Sequence, residues 1–521
     1  MPVKQAPSLL LLSPGLRRFL YVTAMITGGV VLVIEILGAK MLTPWFGSSH
    51  FVWTAQITIT LLALAAGYYV GGWLADRYAS LPLMYAGLMV AAAYLSFTVL
   101  IRAKLASACL GLDLALGSIV ASLGLYFVPL TLLAAVGPYF IRILARSLQD
   151  VGRSVGRLSA LGTVGSVVGV LVTSYLLVPY VRDSVALLGT AAVLVGLSAV
   201  YYLLWGRGEG GGGVSAGAAG LAVLLAVAGL RRESEATLST HVELELANSH
   251  FGTMRVVESR DGRMRMYLND NLTQNTYDPV RKQSLSMFTY ALVELSKGYT
   301  PDLKRALCIG MGVGIAPRHL AGDGIAVDVV EINPRVVPLA QRWFDFDPSR
   351  VNLFLDDARH FLRVATNRYD TVQLDAFLGD SSPSHLMTRE AFSEIRRVLN
   401  PGGTLVINSF ADFNAGRDFF GTALHKTLGS VFAEVRVHAS PGGNMFFVAS
   451  DRSPLEFRAP ASLAHVQSWV RPQLEAALSK AVAVDDRAGL ILTDDFNPVD
   501  YFDASNREAT RRSLARGVSS L

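Results

Sequence analysis

Hydrophobic and polar positions follow two different patterns along this chain. Apolar segments recur at roughly 19–42, 52–75, 82–101, 117–140, 160–180 and 184–205. Each is about the length an α-helix needs to cross a hydrocarbon layer of ~30 Å, so six membrane spans are predicted. A seventh stretch, Val214–Leu230, is rich in Gly and Ala and follows the run Gly208-Glu209-Gly210-Gly211-Gly212-Gly213. Its length leaves open whether it spans, re-enters or lies along the interface. From His241 the pattern changes to short β-type runs, Val242-Glu243-Leu244, Met254-Arg255-Val256-Val257 and Met264-Arg265-Met266-Tyr267-Leu268, broken at Asn248-Ser249-His250 and Asp261-Gly262. These predict hairpins. Beyond Pro301, strands at Ala306–Gly310, Ile325–Ile332, Val351–Leu355, Thr371–Leu374 and Thr404–Asn408 alternate with helical stretches such as Arg335–Phe344 and Thr388–Leu399. That alternation predicts a doubly wound, mostly parallel α/β sheet. The expected organisation is an α-helical multi-span membrane domain over 1–237, a β-hairpin subdomain with a connecting helix over 238–300, and an α/β domain over 301–521.

Composition sharpens the division. The 521 residues are 51% hydrophobic with mean hydropathy +0.39, too apolar for an ordinary cytosolic enzyme and far from the composition of a disordered chain. Before Thr237 stand 15 basic and 8 acidic residues, and from there on 31 and 33. The excess positive charge therefore belongs to the helical half, and the acidic second half speaks against nucleic-acid binding. Only Cys109 and Cys308 are present, which excludes a disulfide framework or a cysteine-ligated zinc as the organising principle; no metal is expected.

Lys4, Arg17, Arg18, Arg77, Arg142, Arg146, Arg153, Arg157 and Arg207 fall on alternate sides of the predicted spans, opposite Arg102, Lys104 and Arg182. By the positive-inside rule the amino terminus is cytoplasmic. Arg17-Arg18 with no small-residue cleavage signature reads as an uncleaved anchor. Six spans return the chain to the cytoplasm, and seven would not unless a further crossing lay within Leu105–Gly117. Within the first span stands Glu35, which needs a partner, a proton or a cavity; a lipid-headgroup or substrate site and a hydrogen-bonded structural carboxyl both remain open. Gly67, Gly71 and Gly72, and Gly162, Gly165 and Gly169, read as close helix contacts.

Ligands of doubly wound sheets bind at the carboxyl ends of the strands. There Gly310-Met311-Gly312-Val313-Gly314 forms a strand-to-turn sequence that lets backbone approach a ligand. Glu331 ends the next strand, placed to accept from ribose hydroxyls. Asp356-Asp357 ends the third, where a side-chain oxygen could receive an adenine amino group; Asp356 reads equally as the cap of the helix from Ala358. Asp375 ends the fourth, where a shielded carboxylate could take a proton from an amine or hold an ammonium. Asp380 is either a turn residue or a second carboxylate of the site. His385 reads as a helix-entry residue. Asp494-Asp495 either closes over the pocket or caps a turn.

Together these residues resemble the spermidine synthase (polyamine aminopropyltransferase) family, and its membrane-fused branch with an N-terminal multi-span domain. The likeness rests on Glu35, Pro44-Trp45-Phe46-Gly47-Ser48-Ser49 and Gly67-Tyr68-Tyr69-Val70-Gly71-Gly72-Trp73-Leu74-Ala75-Asp76-Arg77 in the first half. In the second half it rests on Asp270-Asn271-Leu272-Thr273-Gln274, the glycine turn, Glu331, Asp357-Ala358, Asp375, Asn400-Pro401-Gly402-Gly403 and Leu492-Thr493-Asp494-Asp495. The resemblance implies a Rossmann-like, methyltransferase-like catalytic domain that moves an aminopropyl group from decarboxylated S-adenosylmethionine to putrescine or a related amine, releasing methylthioadenosine. The nucleoside would be a co-substrate, with no cofactor tightly bound. By position, Glu331 would bind ribose, Asp357 adenine, Asp375 the amine, and Gln274 and Asp270 substrate. It also implies a cell-membrane protein touching the lipid bilayer, with its catalytic domain on the cytoplasmic side where the donor is made, and a homodimer paired through the hairpins.

The chain departs from the family pattern at three places. Val313 stands where the glycine turn carries an acid, Ser284-Leu285-Ser286 stands where Tyr-x-Glu is expected, and Asp380 is displaced from its usual spacing after Asp375. These departures keep two alternatives open: an S-adenosylmethionine-dependent methyl or alkyl transferase acting on a lipid or small acceptor, and a non-catalytic polyamine or nucleoside sensor-transporter.

Overall fold

The structure, a computed structural model, describes residues 12–503 apart from 48–49, 79, 145–147, 207–211, 236–239, 271, 378–381, 441–442 and 480. The chain divides into two compact units, Met1–Ala236 and Thr237–Leu521.

The first unit contains helices α1 (Pro14–Phe46), α2 (His50–Arg77), α3 (Leu81–Cys109), α4 (Leu114–Ala134), α5 (Val136–Leu144), α6 (Leu148–Val172), α7 (Val178–Tyr180), α8 (Asp183–Leu204) and α9 (Gly212–Glu235). Ser13 and Asp113 cap α1 and α4 by accepting from Leu16 N at 3.2 Å and Leu116 N at 2.9 Å, which satisfies amide groups that a helix start leaves unpaired. Among the described residues, six helical segments are long and apolar enough to cross a membrane. Two of them are interrupted. The fourth breaks at Ala135, just before Gly137-Pro138, and the fifth widens into a π-helical turn over Thr173–Leu177 ahead of Pro179, where the ring removes a backbone donor. Leu105–Gly117 forms no crossing of its own; it holds the end of α3, a turn and the start of α4. Val214–Leu230 lies within α9, and Gly229 faces Val99 of α3.

Small residues set how closely these helices approach. A methyl group built on Gly165 of α6 would stand 1.8 Å from the Met25 carbonyl oxygen of α1, and one on Gly29 would stand 2.8 Å from the Gly165 carbonyl oxygen. Gly67 and Gly71 of α2 press in the same way on Thr131, Ala134 and Ala135. Gly72 faces open space. The core between the helices holds Leu20, Ile34, Leu42, Leu88, Leu95 and Leu125, all buried, whereas Leu61, Leu171, Leu203 and Leu224 point outward and are exposed.

The second unit begins with an antiparallel sheet, ordered β1-β2-β3-β4-β5, from β1 (His241–Ser249), β2 (Gly252–Ser259), β3 (Arg265–Asn269), β4 (Leu272–Asp278) and β5 (Gln283–Ser284). The hairpins expected from alternation are present, with the Asp261-Gly262 turn joining β2 to β3. After α10 (Met287–Tyr299) come β6 (Arg305–Ile309), α11 (Ile315–Gly322), β7 (Ala326–Glu331), α12 (Val336–Trp343), β8 (Asn352–Leu355), α13 (Ala358–Val364), β9 (Tyr369–Leu374), α14 (Arg389–Val398) and β10 (Leu399–Ser409). The chain ends with α15 (Phe419–Gly429), β11 (Glu434–Ala439), β12 (Met445–Ser450), α16 (Arg471–Ser479), β13 (Ala481–Val482) and α17 (Val499–Phe502).

The large sheet has the order β13-β11-β12-β10-β9-β6-β7-β8. Pairing is parallel from β10 through β9, β6 and β7 to β8, and antiparallel at the β12, β11 and β13 edge. The α/β Rossmann-like domain expected from the strand-helix alternation is therefore present. The winding runs outward from β6 to β8 and then returns to place β9 on the other side of β6. This reversal opens a crevice above the carboxyl ends of β6 and β9.

Candidate active site

The sheet register places four strand ends side by side. Ile309 pairs with Val330 and with Leu374, and Glu331 pairs with Leu355. The residues immediately after these ends are Gly310, Asp356 and Asp375, and with Glu331 they line one cleft of about 1070 Å³, its open mouth included.

Gly310 is required at its position twice over. Its φ of 87° favours glycine, and a Cβ there would stand 2.4 Å from the Asp375 carbonyl oxygen. Gly312 lines the cleft as well. Gly314 does not; it starts α11, and the ring of Phe346 packs where its side chain would be.

Glu331 is buried and accepts from Met311 N at 3.0 Å and Asn333 N at 2.7 Å. Burial raises its pKa, against the backbone N–H groups that favour its charged form. The carboxylate is therefore held in one orientation by the glycine turn and by the chain leaving β7. At the next strand end the helix cap falls on Asp357 rather than Asp356: Asp357 Oδ1 accepts from Arg359 N and His360 N at 2.9 and 3.1 Å. Asp356 accepts from Asp357 N at 2.8 Å and meets His360 Nδ1 at 2.6 Å; the bond to His360 lowers its pKa. Both aspartates line the cleft.

Asp375 sits at the cleft floor, its backbone N–H donating to Ile309 O at 2.9 Å. Its side chain lines the cleft and is partly exposed. Burial pushes its pKa up to about 6, moderated by Asn408 Nδ2, which donates to Oδ1 at 2.8 Å. Asn408 is oriented in turn by Asn444, whose Nδ2 donates to Asn408 Oδ1 at 3.0 Å. Gln274 of β4 supplies the facing wall, beside the buried Asn275 that reaches the glycine turn through Val313 N at 3.4 Å.

Two further residues named from the sequence are placed elsewhere. Asp270, at φ 53°, closes the β3–β4 turn, its Oδ1 accepting from Thr253 N at 3.0 Å, and it is not among the lining residues. Asp494 is engaged away from the cleft: Arg359 donates to both of its oxygens at 3.0 and 2.9 Å, and Thr388 Oγ1 donates at 2.7 Å. Asp380 lies outside the described residues.

Sequence reading missed a second group. Phe251, Phe288, Phe377 and Phe410 form aromatic walls, the last two with ring centroids 5.1 Å apart. His385 enters the lining with Nε2 3.6 Å from Asp357 Oδ2. Asn408 could have been found, because it ends a predicted strand in the same layer as Asp375. Asn444 follows β11 in a loop and gave no local signal.

Residues 307–407 match the family model described as a methyltransferase domain. The chain is 30% identical over 211 residues to a polyamine aminopropyltransferase of Vibrio vulnificus, covering 38% of this chain and 70% of that protein. It is 27% identical over 382 residues to polyamine aminopropyltransferase 1 of Streptomyces coelicolor, covering 68% of this chain and 69% of that one. Among solved structures, a probable spermidine synthase from Corynebacterium glutamicum aligns with TM-score 0.35 and 19% identity over 47% of this chain and 97% of its own. With its methyltransferase-type sheet, its cleft at the strand ends and its 30% identity to the Vibrio vulnificus protein, the chain is a transferase and belongs to the polyamine aminopropyltransferase family.

Proposed function

We propose that this protein is a membrane-bound aminopropyltransferase that moves an aminopropyl group from decarboxylated S-adenosylmethionine to a small amine such as putrescine. The observation that carries this reading is the row of groups along the sheet edge: Asp375 over β9, the glycine turn over β6, Glu331 over β7 and Asp356-Asp357 over β8. Three strand-to-strand steps of ~4.8 Å give roughly 14 Å, room for an extended nucleoside carrying a short chain on sulfur. Glu331 and Asp357 would hold the ribose and adenine, and Gln274 the chain-bearing end.

In the reaction the amine lone pair forms a C–N bond to the carbon beside the sulfonium. The C–S bond breaks with its electron pair going to sulfur, and methylthioadenosine leaves. Positive charge thus moves from sulfur to nitrogen. A carboxylate at the nitrogen end stabilises that shift, orients the attacking N–H, and passes the released proton toward water. The aromatic walls exclude water and help keep the amine unprotonated at the moment of attack.

A second reading, methyl or alkyl transfer from intact S-adenosylmethionine, is favoured by one observation: Val313 occupies the position in the glycine turn where an acid is expected. Purified protein supplied in parallel with decarboxylated and intact donor, each with putrescine and with membrane lipid, separates the two. Methylthioadenosine from the decarboxylated donor with putrescine is the expected product. S-adenosylhomocysteine would assign methyl transfer, and nucleoside binding without any product would assign a sensor or transporter.

The membrane placement is supported by six long apolar helices among the described residues, which carry large apolar side chains such as Leu61, Leu171 and Leu203 on their exposed faces. The Streptomyces coelicolor match takes in a larger share of this chain than the second unit alone, so the likeness extends into the helical unit. We place the amino terminus and the catalytic unit in the cytoplasm, with two copies pairing through the hairpin sheet. The crossing state of α9 sets this parity. Cys109 and Cys308 are buried, so Asp302→Cys, at an exposed position, gives a single reporter. A membrane-impermeant maleimide should label it only after cells are permeabilised; labelling of intact cells would make α9 a seventh crossing and put the catalytic unit outside.

A further inference from the structure

Inside the helical unit, two buried polar side chains of α2 stand without hydrogen-bond partners beside a carboxyl of α1. Gln56 of α2 is fully buried, yet neither its Oε1 nor its Nε2 has a partner. Thr60, one turn further along α2, is 2% exposed, and its hydroxyl is unpartnered too. Unlike the buried Thr23, Thr27 and Thr98, which all bond to neighbouring groups, Thr60 points at a carboxyl. The Glu35 side chain of α1 lies alongside its hydroxyl, without reaching the geometry of a formed bond.

The backbone has been shaped to bring the amide in. Gly38 stands one turn from Glu35 on the same helix, and a Cβ on it would lie 2.8 Å from Gln56 Nε2, so any side chain there would displace the amide. Among the described residues Glu35 takes part in no ion pair, and the nearest lysine in sequence, Lys40, is committed to Asp183 at 3.1 Å and to Val178 O at 3.2 Å. A buried amide or hydroxyl without a partner costs roughly 1–3 kcal/mol, and a carboxylate within a span costs about 2.5–3.5 kcal/mol on insertion scales.

We propose that Glu35, Gln56 and Thr60 form a binding site for a primary ammonium group within the helical unit. The stoichiometry fits. An –NH₃⁺ group carries three donors and no acceptor. The site offers three acceptors, a Glu35 oxygen, Gln56 Oε1 and Thr60 Oγ1, and leaves the second Glu35 oxygen to accept from Gln56 Nε2. The positive charge removes the cost of the carboxylate. Glu35 is half-buried whereas the other two are closed off, so the ammonium enters from the Glu35 side. A free alkylamine and the ethanolamine headgroup of a phospholipid both carry this group.

The test uses the full-length protein purified in detergent and two probes. Equilibrium dialysis of labelled n-butylamine measures the free-amine arm. Native mass spectrometry of protein exchanged into nanodiscs of phosphatidylethanolamine or phosphatidylcholine measures the headgroup arm. With either probe, Glu35→Gln and the shape-conserving Thr60→Val should weaken the bound fraction roughly tenfold or more, the loss expected for a charged hydrogen bond, while both variants keep the unfolding midpoint of the unmodified protein. Butylamine binding lost in both variants identifies a site for soluble amines. Phosphatidylethanolamine retention lost in both, without butylamine binding, identifies a headgroup site. Should Glu35→Gln fail to fold, Thr60→Val decides alone. Binding of both probes unchanged by the substitutions, or displaced by sodium at equal concentration, overturns the proposal.

Discussion

Asp375→Asn is expected to lower kcat by about 10²–10⁴-fold, the range for loss of a positioned acid-base group, while nucleoside binding to the cleft persists. The substitution keeps the shape and an acceptor for Asn408 Nδ2 and removes only the charge. The unmodified enzyme should lose activity as pH falls through about 6, because burial holds the Asp375 pKa there and the proton silences the carboxylate. The sign for stability is opposite. A carboxyl whose pKa is raised on folding binds its proton more tightly in the folded state. Its favourable contribution is complete below the ordinary value of 3.8 and is lost as pH rises through about 6. At pH 8 the Asn variant should therefore unfold at the same temperature as the unmodified protein or a higher one. Turnover at pH 8 above half that of the unmodified enzyme would remove Asp375 from the mechanism, and a lowered Tm would make its role structural.

Gly165→Val should be the most damaging change in the helical unit. The new side chain would begin 1.8 Å from the Met25 carbonyl oxygen, so α1 and α6 must separate along a contact that also includes Gly28, Gly29, Gly162 and Gly169. Overpacking a fixed contact costs about 1–3 kcal/mol and sometimes more, and helix association in a bilayer depends on such close backbone approach because lipid tails compete for ordinary apolar contact. The expected result is an apparent Tm several degrees lower in detergent with loss of monodisperse protein. Gly72→Ala, at a position with nothing within 4 Å, is the matched control and should be silent. Equal unfolding temperatures for the two variants would show that α1 and α6 are not held by this contact.

The chain by itself determined the kind of each half and the layer in which the chemistry lies. Long apolar runs admit little besides helices, and the strand-helix alternation after Pro301 implies a parallel sheet, so Glu331 and Asp375 could be placed at strand ends because the direction of each strand is set by chain order. Local pattern also flagged the close helix contacts at Gly67, Gly71, Gly165 and Gly169, because glycine's permissiveness is a property of the residue, but not that Gly72 faces open space. What needed the tertiary structure were relations between residues far apart in the chain. Asn408 and Asn444 orient Asp375 across 33 and 69 positions, through strands that meet only in the folded sheet. Asp357 rather than Asp356 is the helix cap because it stands immediately before Ala358, where its Oδ1 reaches Arg359 N and His360 N. The sequence left Asp494 either closing over the pocket or capping a turn, and only the fold brings Arg359 to hold both of its oxygens. Glu35 could be recognised as costly from the sequence alone, but its neighbours Gln56 and Thr60 sit on a helix that reverses direction after it. Side chains converge at a site through three-dimensional packing, and sequence spacing carries that information only within a single element.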